Sequence, residues 1–436
     1  MRLLRGRRKK TVCVLGLDGV PFGLLRRLAQ QSVMPRTADI IREGGLKQMR
    51  ASLPPVSSVS WSSFMTGANP GEHGIFGFTD VAPDGYRLLF PTFTDLQVPT
   101  FWHRLGESGR RCAIINQPST YPAREIPGLL VSGFVALDLA KSVWPKAHLP
   151  ALQRMGYRID VNTQKARDNL DGLLDDLTAT LETRRQAARY FWDRERWDYF
   201  QVVVTGTDRL HHFLWNAVVQ QDDPRHDRAM AYYRAVDALI GEMWDRFHQG
   251  KSPDREGDGF LLLSDHGFCG VQRGLRLNAW LRENGYLGYR ADNPTSVADI
   301  SPDTRAFALD PGRIYINQSG RFPKGCVPPD EVPALREDLA ARLRDLCCDH
   351  EPVITHIFTR EQAFRGPQTA RAPDLVLLSA PGFDLKGTTK GDEVFAPTHF
   401  QGMHTWHDAF VWSKLPVPDD PEISDLASVI VDWLCG

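Results

Sequence analysis

The run of apolar and polar positions divides this chain into alternating strand-like and helix-like pieces. Continuous apolar, β-branched stretches occur at residues 11–17, 112–115, 199–204, 259–263 and 374–378, each bounded by Gly, Asp or Pro. Stretches without polar alternation belong to strands covered on both faces. Between them the apolar positions follow helical spacing, briefly at 22–30 and 38–43 and at length at 170–197 and 223–248. This alternation predicts an α/β fold with a mostly parallel central sheet and helices on both faces. In such sheets the chemistry gathers beyond the carboxyl ends of the strands.

Segments 80–97, 118–161 and 289–328, apart from 313–317, are rich in Pro, Gly and aromatics and keep no period. They predict cover over the strand ends, so the chain reads as one domain, 1–436, with 80–161 and 286–328 as cap or insertion segments. No internal repeat or low-complexity tract is present. The vicinal pair Cys347-Cys348 reads as part of a helix.

Composition narrows the function. At 436 residues and 42% hydrophobic the chain can bury a large core. Lys and Arg total 52 against 53 Asp and Glu, which leaves no global field for a nucleic acid duplex. The one charge run, Arg2 to Lys10, precedes an apolar stretch in the manner of a signal peptide, yet Asp18 interrupts that stretch and no small-residue cleavage site follows. No stretch reaches the roughly 18 apolar residues that a membrane span needs. Seven cysteines without a C-x-x-C pair point to a reducing, cytoplasmic setting.

Candidate chemistry lies at the strand ends. Asp18-Gly19 follows the first apolar run, and Asp265-His266-Gly267 follows the fourth, placing a carboxylate beside an imidazole. Turn and capping roles would suit the same residues. Asp208 and His212 are four apart at a helix start and share one face, whereas His211 points about a quarter-turn away, towards substrate or a supporting contact. Near the C-terminus His399, His404 and His407 crowd into nine residues. Trp61, Phe76, Phe78 and Trp215 are candidates to stack on a base or an acyl chain, with core packing as the plainer role.

The set Asp18-Gly, Pro54-Pro-Val-Ser57, Thr66-Gly67-x-x-Pro70-x-x-His73-Gly74, Thr207-Asp208-x-x-x-His212, Ser264-Asp-His-Gly267 and Gly402-x-His404 resembles the alkaline phosphatase superfamily. Within it the type I phosphodiesterase/nucleotide pyrophosphatase family fits best, and Arg313-Ile-Tyr-Ile-Asn317 and Ala372-Pro-Asp-Leu375 resemble a bacterial branch of it. The resemblance implies an alkaline-phosphatase-like domain and a hydrolase that cleaves phosphate esters through a phosphoseryl intermediate on Ser57. It implies two divalent ions, zinc as a rule and manganese as an alternative. Asp18, Ser57, Asp265 and His266 would hold one, and Asp208, His212 and His404 the other, with His407 in reserve. The substrate would be a small phosphorylated molecule such as a nucleotide or another phosphodiester.

Two departures stand out. Ser57 replaces the threonine common in nucleotide pyrophosphatases, and Val59-Ser60 stands where the family has Pro-Asn. A phosphate-contacting amide would then come from Asn116 or be absent. A sulfatase is excluded, because no x-Pro-x-Arg follows Ser57. A phosphomonoesterase or phosphomutase of the same superfamily, and a non-catalytic binding protein keeping the fold, remain as alternatives, although no Arg clamp for a dianion can be assigned near Ser57.

Overall fold

The computed structural model describes residues 10–82, 85–249 and 259–436; the basic run, apart from Lys10, lies outside them. Its centre is an eight-stranded sheet in the order Leu46–Met49, Ala409–Ser413, Phe260–Leu263, Val12–Leu17, Tyr199–Val204, Cys112–Gln117, Gly128–Ser132, Val143–Trp144. The strands from Phe260–Leu263 to Gly128–Ser132 run parallel. Antiparallel strands finish both edges. This is the mixed, mostly parallel sheet that the apolar runs predict.

Strand period two explains how one sheet serves two cores. Cys13, Leu15 and Leu17 of the Val12–Leu17 strand enter a core shared with the helices Phe22–Gln30, Leu170–Arg194, Gly206–Val219 and His226–His248. Val12 and Val14 enter a second core with Ser57–Thr66, Phe101–Glu107 and Asp425–Cys435. Burial of each large apolar side chain contributes about 1.5–3 kcal/mol, so a strand buried on both sides fixes its register firmly.

A second layer has its own core and an antiparallel sheet in the order Ala306–Leu309, Arg313–Ile316, Leu375–Ser379, Ile354–Thr359. The apolar run at 374–378 is therefore a strand of this smaller sheet rather than of the central one. Its apolar content reports burial, which both sheets supply. The long strand Gly267–Arg276 leaves the central sheet directly after His266 and pairs with Gly382–Lys386 and Gly402–Thr405, joining the two layers beside the strand ends.

Within 80–161, the strands Cys112–Gln117, Gly128–Ser132 and Val143–Trp144 extend the central sheet, the helix Phe101–Glu107 packs in the core beneath it, and Val81 and Tyr86 join the core of the second layer. Cys347-Cys348 is not helical. The helix Val332–Arg344 ends before it, and the pair forms a short strand against Glu351–Pro352. Asp349 and His350, at φ of 49° and 70°, make the tight turn between the two short strands.

Candidate active site

Three adjacent parallel strands each deliver a carboxylate to the same edge. Leu17 is in register with Val204, and Gly16 with Leu263, so Asp18, Asp208 and Asp265, which follow these strands closely, gather at one place. Gly19, at φ +68°, turns the chain after Asp18, and its N–H donates to Asp265 Oδ1 at 3.0 Å. The helix Gly206–Val219 places Asp208 and His212 on one face, with Nε2 3.4 Å from Oδ1. His404 arrives from the far end of the sequence, because Gly402–Thr405 pairs with Gly267–Arg276 and sets His404 opposite Phe268.

Ser57 opens the helix Ser57–Thr66, where the positive end of the helix dipole favours negative charge. Every residue of that helix is buried. Its small hydroxyl side chains make this tolerable: Ser62 Oγ donates to Ser58 O and Thr66 Oγ1 to Ser62 O, each at 2.6 Å. Gly67, at φ +67°, ends the helix, and a Cβ there would meet Ala427 Cβ at 2.8 Å. Ser57 Oγ lies 3.2 Å from Asp18 Oδ1 and 3.1 Å from His266 Nε2.

Ligand atoms of Asp208, His212 and His404 lie within 4.8 Å of one another, as do those of Asp18, Asp208 and His266. The donor chemistry fits cations at both groups. Each imidazole has its Nδ1 on a backbone carbonyl: His212 on Gly402 at 3.1 Å, His266 on Gly267 at 3.1 Å and His404 on Pro55 at 3.0 Å. A donating Nδ1–H leaves Nε2 as a bare lone pair. His212 Nε2 and His404 Nε2 then face each other at 3.0 Å, two acceptors with no proton between them. Among the described residues, the buried Asp265 Oδ2 also has no hydrogen-bond partner.

Electrostatics point the same way. Burial raises Asp18 well above the usual carboxylate range, and the charges of Asp265 and Asp208 add to the effect. Burial, with Asp208 close by, pushes Asp265 up to about 7. His212, His266 and His404 are lowered by burial and stay neutral. Carboxylates crowded together and imidazoles that reject protons are the pattern that a divalent ion reverses.

Four supporting contacts escaped the sequence reading. Trp61 Nε1 donates to Asp18 Oδ2 at 3.2 Å and Thr207 Oγ1 to Asp18 O at 2.6 Å. Arg209 donates to Asp208 Oδ2 at 2.8 Å and to Asp160 Oδ2 at 2.9 Å. The signal was present: Trp61 is one helical turn after Ser57, and Arg209 adjoins Asp208.

Two expected substrate contacts are not brought to the site. Asn116 is fully buried, and its amide donates to Val203 O at 3.1 Å and Thr205 Oγ1 at 3.3 Å. His211 is likewise buried, with Nδ1 2.9 Å from Gly19 O and Nε2 2.5 Å from the Tyr233 hydroxyl. It braces the turn after Asp18 from within the core. His407 is exposed and packs near His356, away from the cluster that holds His404. Trp61 and Phe76 are core residues and Trp215 packs on Phe268, whereas Phe78 lines the cavity beside the site.

A model of the type I phosphodiesterase/nucleotide pyrophosphatase family matches residues 12–407, a span that includes every residue of the cluster. The chain belongs to this family. Among solved structures, the fold of this family member is similar to phosphonoacetate hydrolase from Sinorhizobium meliloti 1021, solved with phosphonoacetate or phosphonoformate. That likeness has a TM-score of 0.65 at 17% identity, over 99% of this chain and 98% of the other. It is also similar to ectonucleotide pyrophosphatase/phosphodiesterase 5. The murine protein, solved in an inactive form with AMP, gives a TM-score of 0.56 at 11% identity, and the human protein 0.57 at 12%, each over 98% of this chain and 95% of the relative. At such identities the likeness shows the alkaline-phosphatase-like fold. No curated protein matches the sequence.

Proposed function

We propose that this family member hydrolyses phosphodiesters through a phosphoseryl intermediate on Ser57. Asp18, Ser57, Asp265 and His266 would hold one divalent ion, and Asp208, His212 and His404 the other, with zinc or manganese suited to the mixed carboxylate and imidazole donors. The observation that carries the reading is the approach of three Nε2 lone pairs to buried carboxylates around one serine hydroxyl. When bound, such ions lower the serine's pKa and offset charge that develops on the phosphoryl oxygens.

The chain's own groups set the geometry. Asp18 and His266 fix the Ser57 hydroxyl, Trp61 and Thr207 hold Asp18, and Arg209 holds Asp208. Ser57 Oγ forms a bond to phosphorus as the P–O bond to one alcohol breaks, and the departing alcohol takes up a proton. Water then cleaves the serine ester, releasing a phosphomonoester and the free serine.

A diester is favoured over a monoester by the state of Arg209. Its charge is already matched by Asp160 and Asp208, so it is not free for the extra charge of a dianion. Seven cysteines without a C-x-x-C pair support a cytoplasmic setting.

The test is turnover of a nitrophenyl diester against the nitrophenyl monoester with zinc or manganese added. A higher kcat/KM for the diester is expected, and equal or better monoester turnover would overturn the preference. Ser57→Ala should abolish turnover with bound metal nearly unchanged. Persisting activity would remove the covalent route.

A further inference from the structure

Beside the metal-binding residues lies a cavity of about 560 Å³, within the range of small-molecule sites. It reaches His212 and His404, while Ser57, Asp18, Asp265 and His266 are not among its lining residues. In-line displacement puts the attacking and leaving oxygens on opposite sides of phosphorus. With Ser57 held by Asp18 and His266, the leaving alcohol falls on the side of His212 and His404, where the cavity opens.

The walls are mainly carbon. Leu377, Leu378, Leu385, Met403, Pro311 and Pro381 form an aliphatic side. Phe78 and Phe134, both partly exposed, meet edge to face at 5.3 Å and 76°, and Phe400 lies against His212 at 4.6 Å and 42°. Cations cover faces of two of these rings, Arg209 over Phe134 at 4.1 Å and Lys386 over Phe400 at 5.1 Å, which competes with the stacking of a purine or pyrimidine there. Two cations of the wall, the partly exposed Lys386 and Arg209, are matched by Asp384, and by Asp160 and Asp208, while Arg167 is exposed to solvent at the cavity. Val135 and Leu137, which follow Phe134 in the chain, are exposed apolar side chains at 39% and 85%.

Resting on the phosphodiesterase reading above, we propose that the alcohol this enzyme releases carries a long alkyl or acyl chain, so that its substrate is an amphiphilic phosphodiester and not a nucleotide. The chain lies along the aliphatic wall and leaves past Phe134 towards Val135 and Leu137. The P–O bond to the chain-bearing alcohol breaks as Ser57 Oγ bonds to phosphorus. The alcohol takes up a proton, and water later frees the headgroup as its phosphomonoester.

The experiment uses the full chain loaded with zinc or manganese. Methyl n-alkyl phosphates from butyl to dodecyl are supplied as substrates, and products are resolved by mass spectrometry. The kcat/KM should rise about threefold to fourfold per added methylene until the chain fills the cavity, with long-chain alcohol and methyl phosphate as products. A flat series, or release of methanol instead, would overturn the proposal. In parallel, n-alkylphosphonates and AMP are titrated calorimetrically into the metal-loaded Ser57→Ala variant. Affinity should grow with chain length and exceed that for AMP, and Phe78→Ser should flatten the trend. Tighter AMP binding would refute the idea. Should no diester be hydrolysed at all, the phosphodiesterase reading fails, and the calorimetric series still decides the cavity's ligand.

Discussion

Trp61 shows how one side chain can serve both core and site. Its ring is buried and its Nε1 caps Asp18 Oδ2, so Trp61→Phe leaves a buried carboxylate oxygen unpaired at little cost in volume. That change should destabilise the protein by about 1.5–3 kcal/mol and weaken metal binding by about 10–100-fold. Denaturant titration and competition with a chromogenic chelator would measure the two effects, and unaltered affinity would dismiss Trp61 as a support. His212 makes a sharper case, since it belongs to only one of the two ligand groups. Elemental analysis of His212→Ala should find metal reduced towards a single ion per chain. Retention of the full complement would show that the group does not depend on it.

Among the elements, the Val12–Leu17 strand and the Ser57–Thr66 helix meet where a side chain is missing. A Cβ on Gly16 would sit 2.5 Å from the Trp61 ring, so the strand carries glycine there to let the Ser57–Thr66 helix approach Asp18. Gly16→Ala should cost about 1–3 kcal/mol through overpacking and lower kcat more than KM by displacing Ser57; a stability loss with kcat intact would separate packing from catalysis. The short helix Pro70–His73 is tied to the same Ser57–Thr66 helix by His73, whose Nε2 lies 3.0 Å from Ser63 Oγ. Burial lowers His73 from 6.5 to about 3. The unfolded chain therefore binds a proton there that the folded chain refuses, and stability present above pH 6.5 is lost as the pH falls towards 3. His73→Gln should remove up to about 1.4 kcal/mol of that acid loss per pH unit. Urea denaturation at several pH values would reveal it, and an identical slope in the variant would contradict a buried neutral imidazole.

For the molecule as a whole, the strand-end cluster concentrates buried carboxylates that repel one another. Chelation should lower Tm, and restoring zinc or manganese should raise it with concentration, the metal adding about 2.7 kcal/mol of stability per site at a hundredfold excess over Kd. A Tm indifferent to chelator would mean that the cluster is satisfied without cations. The same scale explains what was legible beforehand. Long apolar runs reported burial on both faces, so the parallel sheet and its covering helices followed from pattern alone, and Asp18, Asp265 and His266 followed from strand ends. The two-layer construction did not, because an apolar run such as 374–378 reads alike in either sheet. Asn116 and His211 were misread because orientation towards pocket or core depends on neighbours more than 80 positions away, such as Val203 and Gly19.

Residue order by itself determined the sheet through its periodicity, and the resemblance of its motifs pointed to the family and to the candidate ligating side chains, because both are properties of the chain read locally. Only the tertiary structure decided that His404 and not His407 joins the cluster, that Arg209 is spent on Asp160 and Asp208, and that a carbon-lined cavity adjoins His212. Those outcomes depend on which distant surfaces come to share one small volume, and no local spacing carries that information.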